Sequence, residues 1–148
     1  MSSQIKTVII DSSVVVKWFL PDEETIEALN IENAFRNKEI LIAVPILFFY
    51  ELGNILKTTT KSLRLKEARA QSVFQNLLNI DFIAYSSREL FTNTLEKSID
   101  LDISFYDASY LALAEYLNVT FITSDQKLID KAKTNLIQSL KSFGGSEN

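Results

Sequence analysis

The chain has 148 residues, a formal charge of −4, 47% hydrophobic and 23% charged residues, the size and balance of one soluble globular domain able to bury roughly two thirds of its unfolded surface. It contains no cysteine and no histidine, which excludes disulfides, thiol nucleophiles, thiolate zinc sites, Ser-His-Asp triads and imidazole acid–base chemistry. Its three glycines, Gly53, Gly144 and Gly145, cannot assemble a Gly-rich phosphate loop or a dinucleotide fingerprint.

Short apolar runs alternate with longer helical stretches. Thr7 to Ile10 is a buried-strand pattern that stops at Asp11. Ser12 to Phe19 starts a short helix that Pro21 ends, and Asp22 to Arg36 is a second helix with Ile26, Leu29, Ala34 and Phe35 on its inner side. Ile40 to Val44 is the next strand. Pro45 suits the first turn of a helix reaching about Lys57. Leu65 to Leu78 is helical, Asp81 to Tyr85 a strand, and Ser87 to Ile99 helical. Ser104 to Leu117 carries the clearest helix signal, being rich in Ala and Leu behind a start motif. Val119 to Thr123 is a β-branched and aromatic strand, Asp125 to Lys133 a helix, and Leu136 to Gln138 a last short strand. This alternation predicts an α/β fold with a parallel sheet covered on both faces, formed by a single domain over 1–143 with a loose tail at 144–148. No segment is long and apolar enough to span a bilayer, since the longest run, Ile40 to Tyr50, contains Pro45. Met1 to Lys6 shows no signal-peptide pattern, so the expected location is cytoplasmic with no membrane association.

With thiols and imidazoles gone, any catalysis rests on carboxylates, hydroxyls, lysines or a metal held by oxygen. In open parallel sheets, ligands bind beyond the carboxyl ends of strands. Asp11 directly follows Val8-Ile9-Ile10, and Asp125 follows the Val119 to Ser124 strand. Asp107 lies in the first turn of the preceding helix, and Glu51 lies among Ile46, Leu47, Phe48, Phe49, Tyr50 and Leu52. Each has a plain structural alternative. Asp11 and Asp125 suit helix caps, and Ser104-x-x-Asp107 suits a capping box. Glu51 is costly in an apolar helix unless paired or bound to a cation, unless that face is wet. Taken together, clustered carboxylates raise one another's pKa values, and a hard divalent cation such as Mg²⁺ or Mn²⁺ relieves that repulsion.

Four segments match a known pattern in order. They are Val8-Ile9-Ile10-Asp11-Ser12-Ser13 continuing to Glu23, Pro45-Ile46-Leu47-Phe48-Phe49-Tyr50-Glu51-Leu52-Gly53-Asn54, Ser104-Phe105-Tyr106-Asp107-Ala108 continuing to Ala114, and Phe121-Ile122-Thr123-Ser124-Asp125-Gln126-Lys127-Leu128. From about Thr7 to Leu140 the chain resembles the PIN-domain ribonucleases, and among them the VapC-like toxins of type II toxin–antitoxin pairs. The resemblance implies a three-layer α/β/α fold with a short parallel sheet of about four to five strands. It implies an endoribonuclease dependent on Mg²⁺ or Mn²⁺ that hydrolyses RNA phosphodiesters to a 5′-phosphate and a 3′-hydroxyl. It also implies a homodimer blocked by a VapB-like antitoxin, an arginine of which pairs with the acidic cleft. Carried over by position, Asp11 and Asp107 are direct metal ligands, and Asp125 supports the metal directly or through water. Glu51 completes the acidic site and either holds a metal-bound water or helps activate the nucleophile, and Thr123 steadies the site by hydrogen bonding. Ser13 has a similar role beside Asp11, and Asn54 faces the cleft or the solvent. Asp102 departs from the pattern, standing where relatives often carry Gly.

The densest basic group is Lys57, Lys61, Arg64, Lys66 and Arg69, either a solvated helix face or a phosphate-contacting rim; Lys17, near Asp11, is a separate candidate. The net acidity argues against nucleic-acid binding by bulk charge. Related acidic sites do not fit. Ser13 breaks the Asp-x-Asp of haloacid-dehalogenase-like phosphatases, Val15 breaks a metal-dependent adhesion motif, and Tyr85-Ser86-Ser87 lacks the phosphorylatable Asp of receivers. Two alternatives stay open, a non-toxic RNA-processing nuclease and a catalytically inert PIN interaction module.

Overall fold

The computed structural model describes residues 5–143, so the tail expected at 144–148 lies outside the described residues. Among the described residues, five strands, β1 Lys6–Ile10, β2 Ile40–Pro45, β3 Ile83–Tyr85, β4 Thr120–Thr123 and β5 Ile137–Ser139, pair into one parallel sheet in the order β3-β2-β1-β4-β5. Seven helices among these residues connect the strands: α1 Ser12–Phe19, α2 Ile26–Arg36, α3 Leu47–Lys61, α4 Glu67–Leu78, α5 Arg88–Leu101, α6 Phe105–Leu117 and α7 Gln126–Ala132. Single 3₁₀ turns occur at Pro21–Glu23 and Leu140–Ser142. No helix among the described residues is long and apolar enough to cross a membrane.

Right-handed crossovers place α1 to α4 on one face of the sheet and α5 to α7 on the other. The strands read accordingly. Val8, Ile9 and Ile10 of β1 are all buried, as are Ile42, Ala43 and Val44 of β2, because a parallel strand covered on both faces has no wet side. Helix α6 is buried on every side from Ala108 to Ala114. That explains its Ala- and Leu-rich composition without an amphipathic stripe. On the other face, Trp18, Phe35, Phe48, Phe49 and Phe82 form a ring cluster with centroids 5.0 to 6.4 Å apart. The Trp18 indole N–H donates to the Ala28 carbonyl at 3.0 Å and locks α1 to α2.

Helix α1 runs over the expected residues, and the other elements fall close to expectation with three informative differences. Helix α2 starts at Ile26 rather than Asp22. Asp22 and Glu23 belong to the Pro21 turn and pair with the Arg64 guanidinium, both at 2.8 Å. The inner side of α2 is Ala28, Ile31 and Phe35, while Ile26 is 65% exposed at the helix start. Pro45 ends β2 rather than opening α3. It pairs with Tyr85 of β3, the Ile46 N–H donates to the Tyr85 carbonyl at 2.9 Å, and the helix begins at Leu47. Asp102 closes α5 at φ 54°, a left-handed cap that glycine adopts without strain. That conformation suits the glycine that the family resemblance leads one to expect at this position.

The chain leaves β1 toward β2 and leaves β4 toward β5, in opposite directions across adjacent strands. A crevice therefore opens beyond the carboxyl ends of β1 and β4.

Candidate active site

Asp11 sits at that switch point, one residue past β1, and is 7% exposed. Its Oδ1 accepts from the Ser13 N–H at 3.1 Å and from the Ser13 hydroxyl, and its Oδ2 accepts from the Thr123 hydroxyl at 2.6 Å. Thr123 ends β4, is fully buried, and its Oγ1 also accepts from the Asp125 N–H at 3.1 Å. Ser13 in turn accepts from the Ser124 N–H at 3.2 Å. These bonds stitch the ends of β1 and β4 together around one carboxylate. Asp11 and Asp125 both cap helices, Asp125 accepting from the Leu128 N–H at 3.2 Å. The capping reading holds for both, and it leaves the carboxylates at the crevice with further lone pairs. Asp107 likewise sits in a capping arrangement, its N–H donating to the Ser104 hydroxyl at 2.9 Å.

Glu51 projects from α3 and accepts a hydrogen bond at 2.6 Å from the hydroxyl of Tyr110 on α6. It lines a cleft of about 400 Å³ with Leu47, Tyr50, Asn54 and Tyr106. Asn54 thus faces the same cleft as Glu51. Lys17 does not join the group, because it lies in the last turn of α1, about 9 Å along the axis from Asp11.

Asp11, Glu51 and Asp107 all carry raised carboxyls. Burial pushes the Asp11 carboxyl from 3.8 up to about 6 against the hydrogen bonds from Ser13 and Thr123, and the charge of Asp107 adds to the rise. Burial also raises Glu51, opposed by the Tyr110 hydrogen bond and reinforced by the charges of Asp11 and Asp107. Burial raises Asp107, reinforced by Asp125 and opposed by Ser104. Asp11, Glu51, Asp107 and Asp125 therefore occupy one electrostatic neighbourhood, contributed by four separate elements. No group of three or more of them stands close enough to hold an ion without movement among the described residues. The donor set nonetheless suits a hard divalent cation: it is all oxygen, partly desolvated, and short of positive charge.

Thr123→Val keeps the shape of the buried side chain but strips Asp11 of its Oδ2 donor and Asp125 of its N–H acceptor. The expected outcome is a loss of about 1–3 kcal/mol, read as a fall of several degrees in the melting temperature measured in chelator. An unchanged melt would show that the hydroxyl carries no weight in the site.

The basic group divides. Lys57, Lys61, Lys66 and Arg69 are exposed along the end of α3 and the start of α4. Arg64 pairs with Asp22 and Glu23 on the surface. Tyr110 is the residue the sequence reading missed. Its only sequence signal is its place three residues after Asp107, about one turn along the same helix.

Comparison with known proteins bears on the family and the fold. A family model described as PIN domain matches residues 8–134. Ribonuclease VapC9 of Mycobacterium tuberculosis is 28% identical over 123 residues, covering 83% of this chain and 89% of that protein. The crystal structure of a Pyrobaculum aerophilum protein superposes with a TM-score of 0.72 at 21% identity, covering 95% of this chain and 93% of that one. VapBC2 from Rickettsia felis, bound to a promoter DNA fragment, gives a TM-score of 0.66 at 16% identity over 90% of this chain and 98% of its own. At these identities the superpositions speak for the fold.

Proposed function

The chain belongs to the PIN domain family, and from that premise we propose that it is a metal-dependent endoribonuclease, the toxin of a toxin–antitoxin pair. One observation carries the proposal: Asp11, Glu51 and Asp107, from three separate elements, each have a carboxyl raised by burial and by the charge of a neighbouring acid, Asp125 being the neighbour that acts on Asp107. Its ribonuclease relatives support the substrate class.

Asp11 and Asp107 are the direct ligands of a Mg²⁺ or Mn²⁺ ion in this reading, with Asp125 supporting it and Glu51 completing the site. When bound, the cation polarises a phosphoryl oxygen, lowers the pKa of water and aligns the in-line displacement. The protein's own part is to hold these carboxylates ready. Ser13 and Thr123 fix both oxygens of Asp11, the Ser104 cap fixes the turn that carries Asp107, and the start of α7 fixes Asp125. Glu51, at the wall of the cleft, is the group placed to take a proton from the attacking water. This hydrolysis does not require the 2′-hydroxyl, so the expected ends are a 5′-phosphate and a 3′-hydroxyl. The lack of histidine agrees with that route. The partners in this reading are an RNA substrate, a second copy of the chain, and a VapB-like antitoxin whose arginine meets the carboxylates in place of the cation. The VapBC neighbours support the antitoxin.

The test uses purified protein freed of any partner, incubated with end-labelled structured RNAs in Mn²⁺, Mg²⁺ or EDTA, beside Asp107→Asn prepared identically. Cleavage by the wild type with metal is expected, falling at least about a hundredfold in the variant and absent in EDTA. Equal cleavage by both proteins would identify a contaminant and leave the catalytic reading without support.

A further inference from the structure

Helix α6 threads the core, and Tyr110 lies on it at 1% exposure, its ring stacked on Phe121 with centroids 5.3 Å apart. A phenol so deep in the core needs a partner for its hydroxyl. It finds one in the carboxylate of Glu51, 59 residues away in the chain, at 2.6 Å. Among the described residues this is the one protein hydrogen bond that Glu51 receives. The other face of Glu51 opens to the cleft it shares with Asn54 and Tyr106. One oxygen is thus anchored to the core while the carboxylate borders the crevice.

We propose that Tyr110 is a positioning residue: its buried hydroxyl holds the Glu51 carboxylate in the orientation the acidic site requires. A glutamate side chain has three rotatable torsions, and ordering them costs conformational entropy. A short hydrogen bond from a rigid, stacked phenol fixes the last of these torsions in advance. The bond is charge-assisted and nearly out of water, which makes it stronger than an exposed pair. It also bridges α6, which carries Asp107, to α3, which carries Glu51, so it sets the spacing between two of the four acids. The phenol is a donor across the neutral pH range, so the anchor is present whenever the carboxylate is ionised. This role rests on the acidic site being a cation site, and it is separable from that reading by experiment.

Tyr110→Phe removes one oxygen and keeps the ring on Phe121. Mn²⁺ affinity is measured by calorimetry on the full chain for the wild type, Tyr110→Phe, Glu51→Ala and the double variant. Tyr110→Phe is expected to weaken Mn²⁺ about tenfold, the effect of losing a partner that orients a ligand, and to change nothing further once Glu51 is already Ala. An equal loss in both backgrounds, or no loss in either, would overturn the positioning role. The same four proteins are unfolded with urea in chelator. There the effects of the two substitutions on the unfolding equilibrium should be non-additive by roughly three- to tenfold. A wild type that binds no Mn²⁺ would refute the metal-nuclease reading of the chain. In that event the metal-free cycle decides for Tyr110: coupling sustains it as the anchor of Glu51, and additivity overturns it.

Discussion

Asp11→Asn should abolish RNA cleavage and yet stabilise the metal-free protein near neutral pH. The first effect follows from the ligand role proposed for Asp11 at the switch point, and a loss of at least about a hundred- to a thousandfold is expected. The second follows from its burial. With a folded pKa of about 6 against an ordinary 3.8, Asp11 binds a proton more tightly folded than unfolded. Between those values the native state holds more protons, so stability falls as pH rises. The cost is absent below about pH 3 and complete above about pH 7, where it reaches about 3 kcal/mol. Asparagine never takes on that charge. It forfeits a charge-assisted hydrogen bond from Ser13 or Thr123, worth about 1.5–3 kcal/mol, so the net gain at pH 7.5 is small. The pH dependence is the sharper readout. The stability of the variant relative to the wild type should climb by roughly 2–2.5 kcal/mol between pH 4 and pH 7.5 in EDTA, measured by urea titration. A difference that stays flat with pH would mean that Asp11 is not the strained carboxyl that its burial implies.

Such strain is the expected mark of a functional carboxylate, and it was partly legible in the sequence. An aspartate directly after an apolar strand points to the carboxyl end of a parallel sheet whatever family the chain resembles. The Ser104 to Asp107 spacing fixed where α6 begins, and the Ser12 to Phe19 helix fell in place because Asp11 caps it and Pro21 stops it. Errors arose where distant residues decide. Asp22 and Glu23 have helical neighbours in the sequence, but Arg64, more than forty positions on, holds them in a 3₁₀ turn. The inner side of α2 was misjudged because its phase is set by α1, through the bond from Trp18 to the Ala28 carbonyl. Pro45 is a good first residue of a helix in isolation, yet pairing with β3 keeps it in the sheet. Tyr110 is the same lesson at the site itself. In a run of Ala and Leu it reads as core, and it is core, but its hydroxyl finds a use only because α3 brings Glu51 across from another part of the chain. Hydrophobic pattern tells which side chains are buried. It does not tell which polar atoms meet.

The largest reversible effect should come from the cation. In metal-free protein the carboxyls of Asp11, Glu51 and Asp107 are all pushed toward protonation by burial and neighbouring charge, and a divalent ion that binds only the folded state at the proposed site relieves that cost. At Mn²⁺ about a hundredfold above its dissociation constant, the folded state gains about 2.7 kcal/mol. For a chain of this size each kcal/mol moves the melting temperature by roughly 2–4 °C, so Mn²⁺ should raise it by about 5–10 °C and EDTA should reverse the rise. Protons compete for the same oxygens, and the shift should therefore shrink as pH falls from 7.5 toward 5. Asp107→Asn should lose most of the shift, because it removes a direct ligand while the Ser104 cap, which uses the backbone N–H of that residue, is retained. If Asp107→Asn and the wild type gain equally from Mn²⁺, the ion binds elsewhere and Asp107 is not its ligand. If the wild type gains nothing at any pH, the carboxylates cluster for another reason, and the inert interaction module becomes the better account of this chain.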